Sequence, residues 1–126
     1  MKKMLLTSAL ILLSGCGYNK IQTLDEQVSA FESQIEVQLQ RRSDLIPNLV
    51  ATVRGVAAHE EEVFTAIADA RSRLGGAIQG GDLGEMAAAN EGLTGAIGRL
   101  LVISEAYPEL RSSQNFRDLQ AQLEGT

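Results

Sequence analysis

The chain has 126 residues, of which 44% are hydrophobic and 21% charged, and this length and balance indicate one folded domain. Its net charge is −5, with no concentrated basic segment, which excludes nucleic acid and electrostatic adsorption to anionic lipid as predicted modes of binding. Aromatic residues are scarce while Ala, Leu, Ile and Val are abundant, so the composition favours an all-α fold.

The first fifteen residues have the pattern of an export signal: two lysines, a short apolar run and small residues before Cys16. The run is too short to cross a bilayer, which disfavours an uncleaved anchor. Its end, Leu13-Ser14-Gly15-Cys16, resembles a bacterial lipobox, in which the cysteine thiol receives a diacylglyceryl group before cleavage. The alternative is that Cys16 is a coincidental thiol beside an ordinary cleavage site or a short anchor.

We therefore predict a lipoprotein signal peptide over residues 1–15, a lipidated Cys16 within a tether over 16–18, and a helical domain over 19–126. Cys16 is the only cysteine, so no intrachain disulfide is possible. Removal of the signal leaves 9 basic against 16 acidic residues, a net charge of −7. Gly17 stands where some enteric lipoproteins carry an inner-membrane retention Asp, which favours the outer membrane.

The first predicted helix runs from Asn19 to about Arg42. Its apolar residues recur at alternating steps of three and four, which is the period of one helical face. That stripe consists of Ile21, Leu24, Val28, Phe31, Ile35 and Leu39.

A second helix of about 30 residues is predicted from Asp44 to Leu74. Asp44 is a suitable N-cap, and Pro47 would then lie in the first turn, where its missing N–H has no helical partner. The apolar face includes Leu49, Val53, Val56, Val63, Ile67, Ala70 and Leu74. Gly75-Gly76 is predicted to end the helix.

One position on this apolar face is polar. Glu60, with His59 beside it, falls between Val56 and Val63. We predict that Glu60 pairs with Arg41, Arg42 or Arg99; the alternatives are a backbone group of a neighbouring helix, or a point where two helices splay. The segment lacks the second histidine of a zinc-protease helix, so a metal site or an envelope enzyme using His59 and Glu60 is the least favoured alternative.

A flexible connection over residues 75–81 is predicted to precede a third helix. Asp82, with Glu85 three residues later, forms a capping pattern. Tyr107-Pro108 is predicted to end the helix, because the residue before proline is driven out of the helical region. The apolar stripe is Leu83, Met86, Asn90, Leu93, Ile97 and Leu100.

Three glycines recur at every third position of this helix, at Gly92, Gly95 and Gly98. Each weakens a helix by about 0.8–1 kcal/mol relative to alanine. Such a cost predicts that a neighbouring backbone approaches closely. A helix of the same chain is the favoured neighbour and a partner protein is the alternative.

A short last helix is predicted after Ser112 or Ser113, with Phe116, Leu119 and Leu123 on its apolar face. About 12 residues cannot cover the apolar faces of helices twice as long. The bundle is therefore expected to leave an apolar groove open, which either a continuation of the chain or a partner would cover.

Several of these segments together resemble the LemA family. The most specific is Arg41-Arg42-Ser43-Asp44-Leu45-Ile46-Pro47-Asn48-Leu49-Val50. The resemblance extends from Tyr18 to the end and includes, in order, Tyr18-Asn19, Gln38-Leu39-Gln40, His59-Glu60, Ala70-Arg71, Tyr107-Pro108-Glu109-Leu110, Asn115-Phe116, Leu119-Gln120 and Leu123.

The resemblance implies an N-terminally anchored, extracytoplasmic, antiparallel up-and-down bundle of long helices, with no established catalytic activity and no catalytic residues. Two features depart from the family pattern: a lipobox replaces the usual uncleaved membrane helix, and the last helix stops short at Thr126. We predict four helices, the last incomplete.

The predicted function is a membrane-tethered, non-catalytic interaction or scaffolding protein of the bacterial envelope, without metal or other cofactor. Its protein partner is not identified by the sequence. A self-assembling structural protein that uses the open groove is the alternative function. Candidate interaction or packing positions are Arg41, Arg42, Asp44, Pro47, Glu60, Gly92, Gly95 and Gly98.

Overall fold

The computed structural model describes the backbone of residues 15–126 and the side chains of residues 17–126. The predicted signal peptide, except for Gly15, and the predicted lipidation of the Cys16 side chain lie outside the described residues. Within the described part the chain forms five helices and no strand. They are α1 (Gly15–Arg54), α2 (Glu61–Gly80), α3 (Leu83–Glu105), α4 (Pro108–Ser112) and α5 (Gln114–Glu124).

The all-α prediction is confirmed, but the first helix boundary was predicted wrongly. The helix α1 continues through Asp44 and Pro47 for 40 residues, and the break falls later, over residues 55–60. Gly75 and Gly76 lie inside α2 and do not end it. The helix ends at Gly80, and the next residue, Gly81, caps it: its φ of 72° is left-handed, and its N–H donates to the carbonyls of Ala77 and Ile78.

Three later boundaries agree with the sequence. Asp82 caps α3 by accepting a hydrogen bond of 2.9 Å from the Glu85 N–H. The Ser113 hydroxyl accepts one from the Phe116 N–H at the start of α5. Pro108 follows the end of α3 but also begins the short helix α4, which the sequence did not predict.

The described part of the chain divides into two compact units, one that ends at Ile35 and one that runs from Glu36 to Thr126. In the second unit, α1 from Glu36 onward packs with α2, α3 and α5 around one apolar core. Ser43 of α1 contacts Arg71 of α2 while Arg54 contacts Glu61, so α2 runs antiparallel to α1. The fully buried large side chains are Ile46, Leu49, Val53, Ile67, Leu74, Met86, Leu93, Leu100 and Leu110.

The predicted apolar faces are largely correct in this unit. Phe116, Leu119 and Leu123 of α5 are all buried, as are Met86, Leu93, Ile97 and Leu100 of α3. There are two exposed exceptions among the predicted apolar residues, Val56 and Leu83. Val56 lies in the turn after α1, where Ala57 is buried instead, and Leu83 is the first residue of α3. Phe64, next to Val63, is buried although the predicted stripe did not include it.

The first unit contains the part of α1 from Gly15 to Ile35. Its apolar stripe has the helical period that the sequence predicts, yet every member is exposed, from Ile35 at 43% to Ile21 at 67%. No helix in the described part of the chain is both long enough and apolar enough to cross a membrane.

Candidate interaction surface

The proline of the long motif lies inside α1, where it removes one backbone hydrogen bond. A proline has no N–H to donate to the carbonyl four residues earlier, which here belongs to Ser43. That carbonyl instead accepts a hydrogen bond of 2.9 Å from Nε of Arg71, on α2. Ser43 is buried, so water cannot bond to its carbonyl, and Arg71 supplies the donor that the helix lacks. Pro47 is thus a mid-helix residue, and the carbonyl that it leaves without a helical donor is bonded by a second helix.

The second arginine of the motif makes another link between helices. Arg42 is half-buried, and its Nη1 donates a hydrogen bond to the side-chain oxygen of Asn90, on α3. Its Nε is buried without a hydrogen-bond partner, and burial lowers the pKa of the guanidinium. Asn90, the polar member of the predicted stripe of α3, therefore contacts Arg42 of the motif. A third link joins Asn115 Nδ2 to Thr52 Oγ1 over 3.1 Å.

The remaining charged residues of the motif face solvent. Arg41 and Asp44 are both exposed, and Asp44 accepts a hydrogen bond of 2.9 Å from Gln40 within the same helix. Asp44 is therefore not an N-cap, and neither residue contributes to the core.

Glu60 forms no ion pair with Arg41, Arg42 or Arg99 in the described structure, so that prediction was wrong. Glu60 lies at the N-terminal boundary of α2, and His59 is exposed in the preceding turn. Residues in this turn do not share the helical face on which the predicted pairing relied. Glu61 and Glu62 occupy the first turn of α2, where the helix dipole stabilises negative charge.

The actual contact at this turn is made by Arg54. Its guanidinium lies 3.6 Å from a Glu61 carboxylate oxygen and 4.7 Å from the centre of the Phe64 ring. Among the side chains of residues 17–126, no cluster of three or more His, Cys, Asp or Glu could hold a metal ion. The turn thus connects two helices, and the contacts of Arg54 with Glu61 and Phe64, which we call the clasp, link them across it.

The three glycines of α3 do not meet a neighbouring helix of this chain, contrary to the favoured expectation. A β-carbon added at Gly92, Gly95 or Gly98 would have no neighbouring atom within 4 Å, apart from the adjacent residues and the backbone of its own turn. They also do not share one face, because successive steps of three each fall about 60° short of a full helical turn. Gly98 lines a separate groove with Arg42 and Leu123.

Gly92 and Gly95 instead line an open groove between α2 and α3, which we call the small-residue groove. Its volume is about 360 Å³. The helices α2 and α3 are the most closely packed pair in the bundle, which small side chains along their seam permit. The lining residues are Ala66, Asp69, Ala70, Arg73, Ala88, Ala89, Gly92, Gly95, Ala96 and Arg99.

Charge at the small-residue groove differs from that of the whole chain. Arg73 and Arg99 line it together with one acid, Asp69, whereas the protein carries a net charge of −5. All three side chains are exposed and available to a ligand. The groove can therefore accept a closely approaching backbone and an acidic side chain.

Sequence reasoning missed several contributors. Arg71, Asn90 and Arg73 were not among the candidate positions, although Asn90 was the one polar member of its stripe. The polarity of Asn90 within that stripe was a signal that its side chain contacts a polar group of another helix. No sequence signal connects Arg71 to the Ser43 carbonyl that Pro47 leaves unbonded, because the contact depends on how α2 packs on α1.

The fold and its polar links define a class: an all-helical bundle whose first helix contains a proline, and whose second helix donates an arginine hydrogen bond to the carbonyl that this proline leaves without a helical donor. The model of the LemA family matches residues 31–126, and the chain belongs to this family. The earlier resemblance is thereby confirmed, with the matched region beginning at Phe31.

The chain is also similar to curated relatives named for the magnetosome. It is 29% identical over 129 residues to "Magnetosome protein MamQ" of Magnetospirillum gryphiswaldense, a match that covers 84% of this chain and 47% of the relative. It is 28% identical, with the same coverage, to "Magnetosome protein MamQ 1" and "MamQ 2" of Paramagnetospirillum magneticum. The chain thus spans about half the length of these relatives.

Proposed function

We propose that this protein is a non-catalytic interaction module, anchored to a membrane on the extracytoplasmic side through lipid on Cys16. The small-residue groove is its binding site for a helical segment of a partner protein. Membership of the LemA family and similarity to MamQ support association with a membrane. The lipobox-like segment before Cys16 supports a lipid anchor.

The groove glycines are the observation that carries the binding role. Glycine inside a helix weakens it by about 0.8–1 kcal/mol relative to alanine, and no contact within the described chain requires Gly92 or Gly95. A partner backbone that approaches α3 closely would require both. Small residues are typical of such close helix–helix contacts.

The partner's chemistry follows from the groove lining. Its contact face carries small residues opposite Gly92 and Gly95, and at least one carboxylate directed at Arg73 or Arg99. Guanidinium groups bind carboxylates with two parallel hydrogen bonds, which fixes the orientation of the incoming segment.

Site-specific photocrosslinking in intact cells tests this role. A photoreactive residue at Ala88, which lines the groove, should capture one dominant protein; at the neighbouring exposed Ala87, which does not line it, it should capture none. Gly95→Leu should abolish capture by filling the groove. The matched Gly76→Leu substitution, at an equally open glycine of α2, should leave capture intact.

Charge reversal sharpens the same experiment. Arg99→Glu should reduce capture from Ala88, while Arg41→Glu, an exposed arginine remote from the groove lining, should not. Capture that is insensitive to Gly95→Leu, or equal from Ala87 and Ala88, would show that the groove is not the binding site.

The anchor has an independent test. Cells grown with an alkyne-bearing fatty acid should label the full chain, and Cys16→Ser should abolish both the label and recovery in the membrane fraction. Labelling that persists in Cys16→Ser, or its absence from the parent chain, would contradict the lipid anchor.

A further inference from the structure

A second groove lies between α1 and α2 beside the proline of the long motif, and we call it the proline groove. Its volume is about 160 Å³. The lining residues are Ile46, Pro47, Val50, Arg54, Phe64, Ile67, Ala68 and Arg71. The buried members, Ile46, Phe64 and Ile67, give the groove an apolar floor. Pro47 and Ala68 are exposed at its edge, so the groove is an apolar recess that opens to solvent.

The proline groove is separate from the small-residue groove and from the contacts of α5. Arg71 lines the first groove and Arg73 the second. Residues two apart on a helix are separated by about 200°, so the two grooves lie on opposite sides of α2. By the same count, Thr52, which bonds to Asn115 of α5, lies on the opposite side of α1 from Arg54. The helix α5 therefore packs on the side of α1 that faces away from the proline groove.

The charge of the proline groove is opposite to that of the whole chain. Two arginines, Arg54 and Arg71, line it, and none of its lining residues is acidic. In contrast, Asp69 lines the small-residue groove. Glu61 contacts Arg54 over 3.6 Å from outside the lining, but both side chains are more than half exposed, so this pair is weak. An anionic group is therefore the complementary ligand.

Arg71 is held in place for such a ligand. Its Nε donates a hydrogen bond of 2.9 Å to the Ser43 carbonyl, which orients the guanidinium. The two terminal nitrogens carry four further N–H groups, and none of these has a hydrogen-bond or ion-pair partner among the described residues. Such a pair of nitrogens binds a carboxylate through two parallel hydrogen bonds. Because this arginine is already ordered, it loses little side-chain entropy on binding.

We propose that the proline groove is a second docking site, which binds a peptide segment of a partner protein with a carboxylate close to a large apolar side chain. An engineered protein cavity of about 150 Å³ holds one benzene molecule. The proline groove therefore has room for one aromatic or branched side chain, but not for the acyl tail of a lipid.

Each part of the peptide has its own contact in the groove. The apolar side chain occupies the recess over Ile46 and Ile67, and the carboxylate binds the terminal nitrogens of Arg71. Arg54 lies 4.7 Å from the centre of the Phe64 ring and adds a positive charge at the other end of the groove.

Fluorine NMR with a defined peptide tests the site in the full chain, held in phosphatidylcholine nanodiscs. The probe is a capped peptide in which 4-fluorophenylalanine and glutamate are separated by one alanine, so that an extended chain presents both side chains on one side. Its fluorine signal should broaden on binding. The same peptide with glutamine in place of glutamate should bind about tenfold more weakly, because the charge-assisted hydrogen bonds are lost.

Two pairs of matched variants locate the binding. Ala68→Leu fills the recess and should abolish the broadening, while Thr65→Leu, at an exposed position of α2 outside the lining, should not. Arg71→Lys keeps a positive charge and a donor for the Ser43 carbonyl but cannot bind a carboxylate through two hydrogen bonds, so it should weaken binding about fivefold. Arg73→Lys should leave binding unchanged. Circular dichroism should show that all four variants are folded.

Several results would overturn the peptide site. Absence of broadening with the parent protein, or equal binding of the glutamate and glutamine peptides, would show that no carboxylate is recognised. Broadening that survives both Ala68→Leu and Arg71→Lys would place the peptide elsewhere. Its loss in Gly95→Leu, which fills only the small-residue groove, would place the peptide there. Displacement of the peptide by an equal concentration of dodecanoate would assign the groove to a fatty acid instead.

Discussion

Two helix seams in this bundle are built on opposite principles. Along α1, large buried side chains such as Ile46 and Leu49 are combined with polar links from Ser43, Arg42 and Thr52 to other helices. Along the α2–α3 seam, alanine and glycine allow the closest helix approach and leave an open groove. The first seam specifies the register of the bundle, and the second leaves space that the bundle itself does not use.

Removing a large side chain from the α1 seam should have the largest effect. Leu49 is fully buried, and Leu49→Ala is expected to lower the free energy of unfolding by about 2–5 kcal/mol through lost burial and a residual cavity. Urea denaturation followed by circular dichroism measures it. Val37→Ala is the control, because Val37 is 65% exposed. Equal losses in both variants would contradict the described seam.

The arginine clamp should be the next most sensitive feature. Arg71→Ala leaves the buried Ser43 carbonyl without a donor and should cost about 1–3 kcal/mol. In a Pro47→Ala background, residue 47 regains an N–H that can bond to this carbonyl. The cost of Arg71→Ala should therefore fall by at least half there.

A double-mutant cycle of these two substitutions measures the coupling directly. Arg73→Ala is the matched control, since Arg73 is an exposed arginine of the same helix that lines the groove. Strict additivity of Arg71→Ala and Pro47→Ala would mean that the arginine does not replace the missing backbone bond.

The α2–α3 seam should respond in the opposite direction. Gly95→Ala adds a methyl group that meets no neighbour and improves helix propensity, so it should stabilise the isolated protein by up to about 1 kcal/mol. Gly76→Ala should stabilise it similarly. A destabilising Gly95→Ala beside a stabilising Gly76→Ala would show that the groove is filled by the protein itself.

The clasp at the α1–α2 turn should have the smallest effect. Arg54 and Glu61 are 51% and 73% exposed, so Arg54→Gln should cost no more than about 1 kcal/mol, including the contact with Phe64. The difference in the free energy of unfolding between the parent protein and Arg54→Gln should be smaller at high salt, because salt screens the exposed ion pair. A loss as large as that of Leu49→Ala would mean that the turn, rather than the core, holds α1 and α2 together.

The sequence by itself determined the features that depend on local chemistry. The helical period identified the buried faces of α3 and α5, since a helix must place residues three and four apart on one side. Asp82 and Ser113 were recognisable as caps because their side chains bond to backbone groups within the same turn. The export signal and lipobox were likewise read from adjacent residues, and they remain predictions.

Only the tertiary structure decided where α1 ends and which candidate residues meet. The local sequence around Asp44 and Pro47 fits a first turn and a mid-helix position equally well. What permits the mid-helix proline is the hydrogen bond that Arg71 donates to the Ser43 carbonyl, 28 positions earlier in the chain. Arg42 likewise found Asn90 rather than Glu60, because the turn at residues 55–60 moves Glu60 off the shared face. Such pairings depend on how helices pack, and packing distances are not encoded in the spacing of residues along one helix.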